Sequence, residues 1–129
     1  VQKILILEDD FDLAMFWKSE LEELGYIVVH TRSGEEAIRL FTDEQPNLVI
    51  SDILIRKTEQ ELERIGGLTL LSTIALSPNA NCGMIAISGA HPSLNVLQHA
   101  SSYGARTFVK PVAVSELLEA VKEMLPADD

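Results

Sequence analysis

Short apolar runs alternate with amphipathic stripes from one end of this chain to the other, and no other feature limits its fold as much. Runs with strand character fall at Lys3–Leu7, Tyr26–His30, Leu48–Ser51, Met84–Ile87 and Thr107–Val109. Between them, apolar residues recur at helical spacing. Asp12–Leu24 sets Leu13, Phe16, Trp17, Leu21 and Leu24 near one face, and Gly25 follows, where a helix commonly ends. Ser33, with Glu36 three residues on, has capping-box spacing and opens a second helix bearing Ala37, Ile38, Leu40 and Phe41. Leu68, Leu71 and Ala75 mark a third helix, Ser93–Ser102 a fourth and Ser115–Leu125 a fifth. Strands alternating with helices predict a parallel α/β sheet covered on both faces. At 129 residues the expectation is one domain, 1–129, and a start at Val1 rather than Met is compatible with excision from a longer chain.

Charge narrows the function. Ten Lys and Arg against twenty Asp and Glu give a net charge of −10, which argues against direct nucleic-acid binding, since phosphate attraction needs a basic face. No apolar run approaches the ~18 residues of a spanning helix, so no membrane partner is expected. Cys82 is the only cysteine, which excludes an intrachain disulfide and a cysteine-based zinc site. A reducing, cytoplasmic setting fits, with Cys82 as a small core-edge residue. Trp17 reads as packing, and His30, His91 and His99 have no ligand-like spacing.

In open α/β sheets the chemistry sits at the carboxyl ends of the strands. Strand one ends in Glu8-Asp9-Asp10, strand three in Asp52, strand four in Ser88-Gly89-Ala90 and strand five in Lys110-Pro111. Each feature alone has an ordinary explanation: Asp9-Asp10 a solvated turn that caps a helix, Asp52 a cap, Ser88-Gly89 a turn. Together they place carboxylates, a hydroxyl and an ammonium on one edge. Clustered carboxylates repel, and a hard divalent cation such as Mg²⁺ relieves that repulsion. With the lysine and the hydroxyl this makes a phosphoryl-transfer site, in which Asp52 is the nucleophile and forms an acyl phosphate.

Along nearly its whole length the chain resembles the receiver domain of two-component response regulators. The segments that carry the likeness are Ile4-Leu5-Ile6-Leu7-Glu8-Asp9-Asp10, Leu48-Val49-Ile50-Ser51-Asp52, Ala86-Ile87-Ser88-Gly89-Ala90 and Gly104-Ala105 through Phe108-Val109-Lys110-Pro111. The resemblance implies a flavodoxin-like (βα)5 doubly wound fold with strand order 2-1-3-4-5. It implies that Asp9, Asp10, Asp52 and the backbone carbonyl of Leu54 hold Mg²⁺. Asp52 would take a phosphoryl group from a histidine kinase or histidine phosphotransfer protein. Ser88, Gly89 and Lys110 would bind that group, Ser88 and residue 107 would form the switch, and the bond before Pro111 would be cis. Such a domain catalyses only its own phosphorylation and slow dephosphorylation. It would signal to a downstream effector domain or protein, with room for a homodimer.

Three departures stand out. The stretch 53–67 is longer than the family's usual loop and carries Arg56, Lys57, Glu59, Glu61, Glu63 and Arg64. It reads as a solvated surface loop, or as a lid or partner contact beginning at the phosphorylation site. Thr107 stands where the family usually has an aromatic residue, and strand alternation sends Phe108 to the opposite face. Ser88 stands where threonine is also common, and keeps the hydroxyl. Two other functions fit less well. A haloacid-dehalogenase-like phosphohydrolase would explain Asp10-Phe11-Asp12 but needs a further acidic pair beyond the lysine. A flavin module would need a first loop of Ser, Thr and Gly where this chain has three acids.

Overall fold

A computed structural model of the chain describes residues 2–53, 66–77, 81–89 and 96–125. Among them, five strands and five helices alternate: β1 (Lys3–Leu7), α1 (Phe11–Glu23), β2 (Ile27–Thr31), α2 (Gly34–Glu44), β3 (Leu48–Asp52), α3 (Gly67–Ala75), β4 (Gly83–Ser88), α4 (Val96–Ser102), β5 (Arg106–Val109) and α5 (Val114–Met124). All neighbouring strands are parallel, in the order β2-β1-β3-β4-β5. The flavodoxin-like arrangement expected from the sequence is the arrangement observed. No described helix is long and apolar enough to cross a membrane.

Local chemistry sets several boundaries. Asp10 caps α1 by accepting from the Leu13 amide, and Ser33 caps α2 by accepting from the Glu36 amide. Gly25, at φ 95°, turns the chain out of α1 in the left-handed region that glycine tolerates. β2 begins one residue later than its apolar run suggests. The Tyr26 amide still bonds to the Leu21 carbonyl, and pairing starts only at Ile27, opposite Lys3. The expected start of the fourth helix at Ser93 lies outside the described residues, as does most of the long stretch 53–67.

The sheet buries both faces, as parallel sheets do. Ile4, Ile6, Leu48, Ile50, Ile85 and Ile87 pack with Trp17 and Leu21 of α1 and Leu117 and Val121 of α5. Leu5, Leu7, Val49, Met84 and Ala86 pack on the other side with Ala37 of α2, Leu70, Leu71 and Ile74 of α3, and Ala100 of α4. Each buried Leu, Ile, Val or Met side chain among them contributes roughly 1.5–3 kcal/mol relative to exposure. α3 starts flush against the end of β3. The Gly67 amide donates to the Ile53 carbonyl at 3.0 Å, and a Cβ on Gly67 would fall 2.0 Å from the Asp52 carbonyl oxygen.

Candidate active site

Strand register and the two-residue period decide which side chains meet. Leu7 pairs with Ser51, so Glu8 stands level with Asp52. The Glu8 amide continues the ladder by donating to the Thr31 carbonyl at 3.2 Å. Ile4 and Ile6 face α1 and α5, and Glu8 continues that face; so do Asp52 after Leu48 and Ile50, and Lys110 after Phe108. Lys110 follows the pairing of Ser88 with Val109, and its amide donates to the Ser88 carbonyl at 3.0 Å.

The resulting contacts are short. The Lys110 ammonium donates to Glu8 Oε1 at 2.6 Å and to Asp52 Oδ2 at 2.9 Å. Glu8 is fully buried and Asp52 only 5% exposed. Burial pushes the Glu8 carboxyl up to about 8, helped by the neighbouring charge of Asp52 and opposed by Lys110. Burial also works against the Lys110 ammonium, but its bonds to Asp52 and Glu8 outweigh that and raise its pKa. The Lys110 ammonium and the raised pKa of Glu8 both ease the repulsion among these carboxylates.

One oxygen from each of Glu8, Asp9 and Asp52 lies within 4.8 Å of the others. Glu8 Oε2 is buried and has no hydrogen-bond partner among the described residues. An orphaned buried carboxylate oxygen beside two further carboxylates is a donor set suited to a small, hard divalent cation.

The family model of the response regulator receiver domain matches residues 4–122. The chain belongs to that family. Among relatives of this receiver domain is the sporulation initiation phosphotransferase F of Bacillus subtilis, 28% identical over 97% of this chain and 94% of that protein. A probable transcriptional regulator, ycf27, of Porphyridium aerugineum is 32% identical over 59% of this chain. The receiver domain matches only 34% of that regulator's length. Among solved structures, a CheY-like receiver domain protein of Methanospirillum hungatei superposes with a TM-score of 0.79 at 30% identity, covering 95% of this chain and 92% of that one. The response regulator TrrA of Thermotoga maritima, solved in complex with Mg(2+)-BeF, gives 0.78 at 28% identity, covering 97% and 100%. Nothing in these likenesses favours a phosphohydrolase or a flavin module.

The receiver-domain site differs at one point from the reading of the sequence. Asp9 and Asp52 come together as expected, but their partner is Glu8 and not Asp10. Asp10 is exposed, and its Oδ1 accepts from the Leu13 amide at 3.1 Å, so it acts as the helix cap that was its ordinary explanation. Sequence reasoning misses Glu8 because Asp9-Asp10 is the more conspicuous pair. Counting the strand period from Ile4 through Ile6 would have found it. The backbone carbonyl expected from Leu54 lies outside the described residues.

Ser88 is buried at the end of β4, and by alternation it belongs to the face of Ala86, toward α3 and α4. Gly89 is exposed, 3.6 Å from the Lys110 Cβ as measured from a Cβ built on the glycine. The Lys110-Pro111 peptide is cis. Thr107 is half-buried and paired with Ala86. Phe108 points the other way, against the α1 and α5 core, with the Arg106 guanidinium 5.8 Å from its ring centroid. Trp17 is buried packing. Burial pushes the Cys82 thiol up to about 12, so it is a poor nucleophile at neutral pH.

Proposed function

We propose that Asp52 accepts a phosphoryl group from a phosphohistidine on a histidine kinase or a histidine phosphotransfer protein. A carboxylate oxygen of Asp52 attacks phosphorus, the P–N bond breaks, and its electron pair leaves on the imidazole nitrogen of the donor. The product is an acyl phosphate on Asp52. Glu8, Asp9 and Asp52 are the residues that would hold Mg²⁺, in place of the Asp9 and Asp10 pair. The ion supplies charge neutralisation for the phosphoryl oxygens. Lys110, already 2.9 Å from Asp52, turns its ammonium to a phosphoryl oxygen, and the Ser88 hydroxyl and Gly89 bind the remaining oxygens. The chain is thus a phosphoacceptor that catalyses its own modification rather than a turnover enzyme. A downstream effector domain or protein reads the phosphorylated state.

The observation that carries this reading is the convergence of Glu8, Asp9, Asp52 and Lys110 in a family whose members accept phosphoryl groups. Incubation with acetyl phosphate, followed by intact mass, tests it. One phosphoryl group is gained with Mg²⁺ present and none without it. Labelling that ignores the metal would defeat the assignment.

A further inference from the structure

The carboxyl end of β2 supplies two side chains that the phosphoryl-transfer chemistry does not use. Val28 packs on the α1 and α5 side of the sheet, and strand alternation puts His30 and Arg32 on that same side. His30 Nε2 lies 2.9 Å from the carbonyl oxygen of Glu8. A carbonyl only accepts, so Nε2 carries the hydrogen and donates. Arg32 Nε donates to the carbonyl oxygen of Asp9 at 3.2 Å. Two side chains from one strand end therefore grip two consecutive peptide carbonyls, those of the two residues whose carboxylates join Asp52.

The geometric consequence is specific. The Glu8 carbonyl belongs to the peptide plane before Asp9, and the Asp9 carbonyl to the plane after it. Peptide planes are rigid, so fixing both determines φ and ψ of Asp9 and with them the direction of its Cβ. The neighbouring positions are held as well. The Glu8 amide is tied to the Thr31 carbonyl, and the Asp10 side chain is tied to the Leu13 amide. Phe11, the first residue of α1, meets the His30 ring edge-on with centroids 6.3 Å apart, which keeps the imidazole turned to the Glu8 carbonyl.

We infer that His30, seconded by Arg32, is a positioning residue that presets the Glu8–Asp9 backbone so that both carboxylates face a divalent cation. This rests on the metal role proposed for Glu8 and Asp9. Groups that orient metal ligands commonly change affinity by 10- to 100-fold when removed. A backbone tether one step back from the ligands belongs near the lower figure.

Mn²⁺ binding, read as loss of the free-ion electron paramagnetic resonance signal, tests this at fixed pH with Mg²⁺ in competition. His30→Phe keeps a ring against Phe11 but has no donor. It is expected to weaken Mn²⁺ binding by about tenfold. His30→Gln places an amide nitrogen where Nε2 stands and should return affinity to within about twofold of the starting protein. Arg32→Met, at an exposed position that leaves folding unaffected, should weaken binding by a smaller factor. At saturating metal, the rate of labelling by acetyl phosphate stays the same in all three variants, because the loss is in binding and not in transfer. Unchanged affinity in His30→Phe and Arg32→Met would overturn the inference, and so would a His30→Gln variant as weak as His30→Phe. Should His30→Phe fail to fold by near-ultraviolet circular dichroism, Arg32→Met and His30→Gln decide. Absence of Mn²⁺ binding by the unsubstituted protein would instead defeat the metal role itself.

Discussion

The two faces of the sheet end in different chemistry. Toward α1 and α5 the strands end in Glu8, Asp52 and Lys110, with His30 and Arg32 bonded to the turn beside them. Toward α3 and α4, β4 ends in Ser88, and Thr107 of β5 stands on the same face opposite Ala86, both small and neutral. The first face is built from short charged contacts that a cation or a phosphoryl group would rearrange directly. The second can respond only by small shifts of a hydroxyl and a methyl. On the reading proposed above this is a division of labour: the carboxylates and the ammonium act from the charged face, and the other face contributes one hydroxyl, from Ser88, and no aromatic ring at residue 107.

The sharpest way to break that division compares Asp52→Asn with Ser88→Ala. Asp52→Asn should abolish labelling by acetyl phosphate. Ser88→Ala should only slow it, by about a hundred- to a thousandfold at most, the scale of losing one donor to a developing oxyanion. Equal loss in the two variants, by intact mass, would erase the distinction.

Next in size is a pH effect confined to the charged face. Glu8 has its pKa raised from 4.5 to about 8, so between those values the folded protein holds a proton that the unfolded chain does not. Stability without metal must therefore fall as pH rises through that window, by up to about 1.4 kcal/mol per pH unit. The raised pKa of Lys110 acts in a different window, keeping its stabilisation until the pH passes its folded value. Urea unfolding between pH 5 and pH 8 should show the decline, and Glu8→Gln should flatten it. Mg²⁺ should also flatten it, because metal takes the place of the proton. A slope that survives Glu8→Gln would move its origin elsewhere.

Two glycines extend the comparison to packing. A Cβ on Gly67 would collide with the Asp52 carbonyl at 2.0 Å, whereas one on Gly89 would meet the Lys110 side chain at an ordinary 3.6 Å. Gly67→Ala should cost about 3 kcal/mol or more in denaturant unfolding, since the obstacle is backbone. Gly89→Ala should stay within about 0.5 kcal/mol, as surface changes usually do. Similar losses would mean that α3 is not seated against β3 as described.

The smallest expected effect lies on the neutral face. With beryllofluoride and Mg²⁺, amide exchange over α4 and β5 should change little, because Thr107 buries far less area than an aromatic ring, at about 25 cal/mol per Å². A ligand shifts an equilibrium only by its difference in interaction with the two states. Thr107→Tyr should enlarge the change. A large protection change on α4 and β5 in the unsubstituted protein would show that the neutral face transmits without a ring.

Much of this was legible in the amino-acid sequence. The alternation of runs and stripes determined a parallel α/β sheet, because only a crossover helix joins parallel neighbours and only two covering layers bury such strands. Ser33 with Glu36 marked a helix start that the structure keeps. The meeting of Asp52 with Lys110 was readable because each stands at the carboxyl end of its strand. The strand period points to Glu8, but the tertiary structure alone decided that Asp9 and not Asp10 joins it. Alternation would put Asp10 on the face of Glu8, and it fails here because the strand ends at Leu7 and the chain turns into a helix. Leu7 opposite Ser51 levels Glu8 with Asp52, and the Leu13 amide takes Asp10 as a cap. The positioning role of His30 belongs to the same category. Its bond to the Glu8 carbonyl joins residues 22 apart in the chain, and no local pattern announces a contact made only when β2 lies beside β1.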